Sequence, residues 1–359
     1  MLREGLIAVV GATGAVGREA LTILAERNVP ASRVRALASE RSHGLRVRYG
    51  VGDVGVGTLG ERSFEGVGTA VFAADAETAR RIVPAALGAG AFVVDNSSAF
   101  RADPAVPLVV PEINGGAVTD STRLVANPNC STTILLLALE PLRRAFGVVA
   151  IDVATYQAVS GAGLAGIEAL LRETREGIAT LDREGSAIGW TLQGGGAGGV
   201  FAEPCAFNVF SHDSAVDDTT GVNGEERKMI DETRRIWADA AIRVTPTCVR
   251  VPALRAHTQA ITVTLGRPAC ENEVLDALAG GRGLEIVDDR GANSFPTPRK
   301  AAGRDEVLVG RVRPDPGEAA GQGRARRRWC LLASGDQLRK GAALNALQIA
   351  GLSPVPATV

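Results

Sequence analysis

The sequence predicts an α/β protein of two domains, with a parallel sheet in the first and a mostly antiparallel sheet in an α+β second. Over the first 130 residues, short apolar runs alternate with amphipathic stretches, and after Val148 the apolar runs become longer. The 359 residues also exceed the roughly 100–200 of one typical domain. Because strand–helix–strand repeats favour a parallel sheet with right-handed crossovers, the first domain is predicted to be Rossmann-like.

The elements of the first domain follow from their apolar patterns. Leu6–Val10 is a continuous apolar run, typical of a strand buried on both faces, and Arg18–Arg27 has an apolar helical face. The predicted strands are Leu6–Val10, Val34–Ala38, Thr69–Ala73 and Ala91–Asp95, and the predicted helices are Arg18–Arg27 and Glu77–Gly88. The glycine-rich segment Val47–Gly60 lacks the following helix and the Lys-Ser/Thr pair of a phosphate loop, so it is predicted to be a hairpin.

Longer β-like runs and helices are predicted for the second domain. Val148–Ala158 and Thr258–Leu265 are its clearest strands, and Ser334–Gly351 has the apolar spacing of a helix. Five glycines within Gly194–Gly199 predict a mobile loop, and the arginine run Arg324–Arg328 predicts a solvated face.

Composition and charge exclude several classes of function. With 39 basic and 40 acidic residues the net charge is -1, whereas a surface for nucleic acid or anionic membranes needs a basic excess. No stretch approaches the ~20 apolar residues of a membrane span, and the first strand begins too early to leave room for a signal peptide. Five scattered cysteines, none at metal-ligand spacing, favour reduced thiols and no metal site. We therefore expect a cytoplasmic protein that binds neither nucleic acid nor a membrane.

The segment Gly11–Gly17 has the pattern of a dinucleotide-binding loop. It follows the first predicted strand and opens the first helix, where glycines permit a tight turn and backbone N–H groups can hold a pyrophosphate. The predicted cofactor contacts here are Gly11, Thr13, Gly14, Ala15, Val16 and Gly17.

The end of the second predicted strand bears on which dinucleotide is bound. An NAD site offers Asp or Glu there to the ribose 2′-hydroxyl, whereas an NADP site offers groups that hold the 2′-phosphate. Ser39, Arg41 and Ser42 favour NADP, and Glu40 between them favours NAD. NADP is the prediction, with NAD left open by Glu40.

Cys130 is a candidate nucleophile because of its place in the chain. Pro128 and Asn129 mark a turn, and Ile134–Leu139 is a helical apolar run, so Cys130 is predicted to lie at or just inside a helix N-terminus. The helix dipole and unpaired N–H groups there favour a thiolate. A small buried side chain remains the alternative for a cysteine.

Five motifs together resemble the aspartate-β-semialdehyde dehydrogenase family, in the same order along nearly the whole chain. They are AspAsnSerSerAlaPheArg at 95–101, AsnProAsnCysSerThr at 127–132, TyrGlnAlaValSerGlyAlaGly at 156–163, ArgValProAlaLeuArgAlaHis at 250–257 and GlyAspGlnLeuArgLysGlyAlaAla at 335–343. The related reductase for N-acetylglutamyl phosphate resembles the sequence less around the cysteine and the glutamine.

The resemblance implies a role for each matching residue. Cys130 would be the acyl-thioester nucleophile, His257 the acid/base partner with a pKa near neutrality, and Gln157 would orient the substrate. A backbone N–H near Cys130 would stabilise the oxyanion. The other implied contacts are Arg250 and Glu225 with Gln157 for substrate, Arg101, Asn129 and Lys228 for phosphate, and Ser160, Gly161 and Gln337 for cofactor. His43 and His212 match no motif and are expected at the surface.

The implied activity is reversible, NADPH-dependent reductive dephosphorylation of L-aspartyl 4-phosphate to L-aspartate 4-semialdehyde, releasing inorganic phosphate. The implied domains are 1–129 for the dinucleotide, with 334–359 returning to it, and 130–333 for catalysis and assembly as a homodimer or homotetramer. Ala256 departs from the family pattern because a glycine usually precedes the histidine. A paralogue acting on another acyl phosphate and a catalytically silent binding protein remain the alternatives.

Overall fold

The computed structural model describes residues 5–184, 199–318 and 325–352. These residues form two compact units. Unit 1 consists of the residues up to Leu137, Glu232–Ala240 and those from Leu338 onward; unit 2 consists of Ala138–Asp231 and Ala241–Gln337. Labels below run in chain order.

Unit 1 is built on a seven-stranded sheet. Its strands are β1 (Leu6–Val10), β2 (Val34–Ala38), β3 (Arg46–Tyr49), β4 (Gly52–Thr58), β5 (Val67–Phe72), β6 (Phe92–Asp95) and β7 (Leu124–Ala126), and its helices are α1 (Ala15–Glu26), α2 (Ala76–Gly88), α3 (Pro111–Asn114), the start of α4 (Cys130–Phe146) and α9 (Leu344–Leu352). The sheet order is β3-β4-β2-β1-β5-β6-β7, and all pairs except β3–β4 are parallel. The Rossmann-like prediction is confirmed.

Both faces of the unit 1 sheet are covered. Ile7 and Val9 of β1 pack in a buried cluster with residues of α1 and α9, whereas Ala8 and Val10 pack in a second cluster with residues of α2. Side chains alternate between the faces of a strand, so a strand covered on both faces must be apolar throughout. This is why Leu6–Val10 forms an uninterrupted apolar run.

Unit 2 is built on a second seven-stranded sheet. Its strands are β8 (Val148–Gln157), β9 (Phe210–Ser211), β10 (Arg243–Arg250), β11 (His257–Ala269), β12 (Leu284–Ile286), β13 (Val307–Pro314) and β14 (Arg326–Gly335), and its helices are α5 (Gly163–Glu184), most of α6 (Gly224–Ile236), α7 (Glu271–Ala279) and α8 (Pro298–Ala301). The order is β12-β13-β14-β11-β8-β10-β9, in which only the β8–β10 and β12–β13 pairs are parallel. The prediction of a mostly antiparallel sheet is confirmed.

Several local predictions have definite outcomes. β1 and β2 have the predicted bounds, and the predicted hairpin is the antiparallel pair β3–β4. The helix predicted from Ser334 is wrong at its start, because Ser334 and Gly335 belong to β14 and pair with Thr258 and His257 of β11. A turn of π-helix, Arg339–Ala343, leads into α9 instead.

Three predicted segments lie partly outside the described residues. These parts are 194–198 of the predicted glycine loop, 324 of the arginine run and 353–359 of the C-terminal segment. Arg326–Arg328 belongs to β14. None of the described helices is both long enough and apolar enough to cross a membrane.

Candidate active site

The turn between β1 and α1 can be occupied only by glycine at two positions. Gly11 has a φ of +79°, and a Cβ on it would lie 2.3 Å from the Ala73 carbonyl oxygen. A Cβ on Gly17 would lie 2.2 Å from the Gly11 carbonyl oxygen. Gly14, the N-cap of α1, has no side chain to accept the first N–H groups of the helix. The glycines therefore let an anion approach the backbone closely, and the N–H groups at the start of α1 can donate to it. This arrangement fits a dinucleotide pyrophosphate.

The residues predicted to hold the adenosine ribose follow β2 directly. Ser42 Oγ lies 3.5 Å from Thr13 Oγ1 of the glycine loop, so the two predicted cofactor segments are neighbours in unit 1. Arg41 is exposed and has no hydrogen bond or ion pair with any residue that the structure describes. Glu40 and Ser39 are exposed beside it.

Cys130 is the first residue of α4, as predicted from the turn before it. Its side chain is half-buried, and its sulfur is not part of a disulfide. The Asn129 Oδ1 accepts the N–H groups of Ser131 at 2.9 Å and Thr132 at 3.1 Å, which makes Asn129 the cap of the helix. The first N–H groups after Cys130 are therefore engaged by this cap.

A buried carboxylate joins two of the residues predicted to bind phosphate. Glu232 Oε1 lies 3.3 Å from Nη1 of Arg101, and its Oε2 accepts the Asn129 N–H at 2.6 Å. Arg101 Nη2 donates to the Asn96 carbonyl at 2.6 Å. Glu232 was not predicted from the sequence; the available signal was its position on α6, seven residues after Glu225.

His257 in unit 2 is fully buried at the start of β11, and its Nδ1 accepts the Ala158 N–H at 3.0 Å. This bond places the proton of the neutral imidazole on Nε2. Burial, followed by the positive charge of Arg250, lowers the pKa of His257 from 6.5 to about 3. The predicted pKa near neutrality is therefore wrong for this structure, because a charged imidazole would lose its hydration beside a buried guanidinium.

Arg250 is buried and held by three partners. Its Nη1 donates to the Ala158 carbonyl at 3.0 Å, and its Nη2 lies 2.7 Å from Asp213 Oδ1 and 3.0 Å from His212 Nε2. The prediction that His212 lies at the surface is wrong, since only 11% of its side chain is exposed, and burial lowers its pKa. Burial acts to raise the pKa of Asp213, but the hydrogen bond and charge of Arg250 lower it overall.

The other predicted substrate and phosphate residues of unit 2 form a chain of contacts. Gln157 Nε2 donates to Glu225 Oε1 at 3.2 Å, and Lys228 Nζ lies 3.1 Å from Glu225 Oε2. Glu225 is buried, whereas 39% of the Lys228 side chain is exposed. An ammonium with this exposure remains accessible to an anionic group.

The three predicted cofactor residues of unit 2 lie next to His257 or to the residue before it. Gln337 Nε2 donates to Ser160 Oγ, and its Oε1 accepts the Ala256 N–H at 2.8 Å. A Cβ on Gly161 would lie 3.1 Å from Arg250 Nη1 and 3.6 Å from His257 Nε2. Ala256 has a φ of +70°, the left-handed conformation that favours the glycine usual in the family.

The predicted residues thus fall into two groups, each within one unit. Unit 1 contains the glycine loop with Ser39, Arg41 and Ser42, and Arg101 with Asn129 next to Cys130. Unit 2 contains the other predicted site residues, namely Gln157, Ser160, Gly161, Glu225, Lys228, Arg250, His257 and Gln337. The described residues include no cluster of three or more His, Cys, Asp or Glu that could hold a metal ion.

Two family models match the chain. Residues 6–121 match the semialdehyde dehydrogenase NAD binding domain, and residues 139–340 match the semialdehyde dehydrogenase dimerisation domain. The first match is consistent with a nicotinamide dinucleotide site at the glycine loop.

Curated and solved proteins match over almost the full length. Aspartate-semialdehyde dehydrogenase of Synechocystis is 40% identical over 96% of both chains, and aspartate-semialdehyde dehydrogenase 2 of Vibrio cholerae is 41% identical over 98% of both. The crystal structure of the Vibrio cholerae aspartate semialdehyde dehydrogenase II complexed with ASA has a TM-score of 0.86, with 38% identity over 98% of both chains. The chain therefore belongs to the aspartate-semialdehyde dehydrogenase family.

Proposed function

We propose that this protein catalyses the reversible, NADPH-dependent reductive dephosphorylation of L-aspartyl 4-phosphate to L-aspartate 4-semialdehyde. This reaction supplies a precursor for amino acids derived from aspartate, such as lysine, methionine and threonine. The observation that carries the proposal is the match over 96–98% of the chain to enzymes named for this semialdehyde.

The first chemical step forms a thioester on Cys130. The thiolate attacks the C4 acyl carbon, the new S–C bond replaces the C–O bond to phosphate, and phosphate leaves with that electron pair. Arg101 and Lys228 would hold the leaving phosphate by charge-assisted hydrogen bonds. The released phosphate takes up the one proton that the overall reaction consumes at neutral pH.

The second step needs a donor to the carbonyl oxygen. The Gly11–Gly17 loop would hold a nicotinamide cofactor, which would supply hydride for reduction of the thioester carbon. His257 would donate its Nε2 proton in a hydrogen bond to the oxygen as negative charge develops, which a neutral imidazole can do. Collapse of the resulting thiohemiacetal anion breaks the C–S bond and returns the Cys130 thiolate with the aldehyde.

Substrate recognition follows from the charges of unit 2. Arg250 would bind the α-carboxylate, because its guanidinium is buried and its Nε has no partner among the described residues. Glu225, with Gln157 hydrogen-bonded to it, would bind the α-ammonium.

NADP is the proposed cofactor, and a homodimer is the proposed assembly. Exposed Arg41 beside Ser42 supports recognition of a 2′-phosphate, although Glu40 lies next to it. Unit 2 exposes large apolar side chains that a second copy would cover, including Val149, Tyr156, Leu171, Ile178, Phe207, Val209 and Leu254.

The test is NADP reduction by L-aspartate semialdehyde with and without inorganic phosphate, on the wild type and on Cys130→Ala. Turnover that requires phosphate and disappears in the variant is expected. Folded wild-type protein that fails to reduce NADP or NAD with this substrate would overturn the substrate assignment. Comparison of NADP with NAD under the same conditions tests the cofactor.

A further inference from the structure

Glu232 is a buried carboxylate that the proposed mechanism does not use. Only 5% of the residue is exposed, and such a charge needs charged or hydrogen-bonding partners close by. Among its partners are the Arg101 guanidinium at 3.3 Å and the Asn129 N–H at 2.6 Å. One carboxylate thus contacts two residues of the proposed phosphate site, and the second of them immediately precedes Cys130.

The Arg101 guanidinium retains N–H donors beyond those that contact Glu232 and Asn96. A guanidinium carries five N–H donors, and Arg101 donates from Nη1 to Glu232 and from Nη2 to the Asn96 carbonyl. Its Nε has no hydrogen-bond partner among the described residues. The two contacts fix the plane of the guanidinium. Its remaining N–H groups can donate to an anion.

The last turn of α6 holds the Arg101 backbone as well as its side chain. Arg235, three residues after Glu232, donates to the carbonyl oxygens of Arg101, Asp103 and Val106, the last two at 2.6 Å. Residues three apart lie on neighbouring positions of a helix surface. The end of α6 therefore fixes both the position of Arg101 and the direction of its guanidinium.

We propose that Glu232 is a positioning residue that holds Arg101 and the Asn129–Cys130 backbone in the geometry that binds phosphate during acyl transfer to and from Cys130. This inference rests on the proposed function. Glu232 does not bind phosphate itself, because two anions would repel one another; it acts through Arg101 and the Asn129 N–H. Both carboxylate oxygens are needed, since each accepts from a different donor.

The substitution Glu232→Gln tests this geometry with little change in volume. The amide has one acceptor oxygen, so its NH₂ group must face either the guanidinium or the Asn129 N–H, and one contact is lost. Asp231→Asn, at the exposed neighbouring position of the same helix, is the matched control for loss of one negative charge.

We expect Glu232→Gln to raise the KM for inorganic phosphate about tenfold, with the KM for L-aspartate semialdehyde within twofold of wild type and Asp231→Asn unchanged. In an Arg101→Lys background the effect of Glu232→Gln on the phosphate KM should largely disappear, because Glu232 acts through the Arg101 guanidinium. An unchanged phosphate KM, an equal rise in both KM values, or full additivity with Arg101→Lys would overturn the proposal.

Two further measurements keep the test independent of folding and of turnover. Should Glu232→Gln fail to fold, Glu232→Asp retains the charge but is too short to reach both donors, and a wild-type phosphate KM in that variant would overturn the proposal. The rise in Tm on adding phosphate needs no turnover; we expect it to be smaller in Glu232→Gln than in wild type, and an equal rise contradicts the role of Glu232. Absence of phosphate-dependent turnover by the wild type would refute the proposed function separately.

Discussion

His257 is predicted to remain neutral far below the pH at which a free imidazole takes up a proton. It is fully buried and close to the positive charge of Arg250, and its pKa falls from 6.5 to about 3. This difference corresponds to roughly 5 kcal/mol in favour of the neutral ring. The imidazole therefore acts in the free enzyme as a fixed Nε2–H donor, not as a charged acid.

The lowered pKa of His257 also makes the fold sensitive to acid. Below pH 6.5 the unfolded chain binds a proton on this ring that the folded chain excludes until about pH 3, so the stabilisation is complete above pH 6.5 and is lost as the pH falls. Between pH 6.5 and pH 5 the free energy of unfolding should fall by about 2 kcal/mol through this residue alone.

Nitrogen-15 NMR of the imidazole rings tests the prediction, because the chain has only three histidines. The wild-type signals that are absent in His257→Gln belong to His257. In wild type they should show the Nε2–H tautomer and no titration between pH 5 and pH 8. The same variant should lose less stability on acidification than wild type, whereas His43→Gln, at an exposed position, is the control. A titration midpoint between pH 6 and pH 7, or a proton on Nδ1, would refute the reasoning.

Three other substitutions give direct tests. Gly161→Ala would place a methyl group 3.1 Å from Arg250 Nη1, so kcat/KM should fall at least tenfold with little change in Tm; unchanged kinetics would contradict this. Arg41→Ala should raise the KM for NADP about tenfold and leave that for NAD unaltered, and equal effects on both cofactors would exclude a phosphate contact. Ala256→Gly relieves a left-handed alanine, worth about 1–2 kcal/mol, but removes a buried methyl worth about 0.8 kcal/mol. The free energy of unfolding, measured by chemical denaturation, should therefore change by less than about 1 kcal/mol. A loss above about 2 kcal/mol would refute the inference that Ala256 is strained in its left-handed conformation.

The fold was predictable where local pattern and burial agree. β1 lies inside a sheet covered on both faces, so its apolar run ends where the strand ends, and β2 has three buried apolar residues after Arg35. The prediction of a helix from Ser334 was wrong at its start. The apolar spacing of the segment resembles a helix, but pairing of Ser334 and Gly335 with β11 keeps its first residues extended. Such pairing joins residues 76 or more positions apart and leaves no local signal.

The site, too, was predictable where its residues depend on their neighbours in sequence. The position of Cys130 follows from a turn and an apolar run that are adjacent in sequence. His212 and Glu232 were missed because their roles depend on Arg250 and Arg101, which lie 38 and 131 residues away. The pKa of His257 depends on burial and on Arg250, neither of which can be inferred from the residue type.

Trapping of the thioester tests the central claim most directly. In the absence of phosphate, wild-type protein mixed with L-aspartate semialdehyde and NADP should form one NADPH per subunit in a rapid burst. Mass spectrometry should then find the aspartyl group on the peptide that contains Cys130, and added phosphate should release it. A burst that persists in Cys130→Ala, or an acyl group on another residue, would contradict the proposed mechanism.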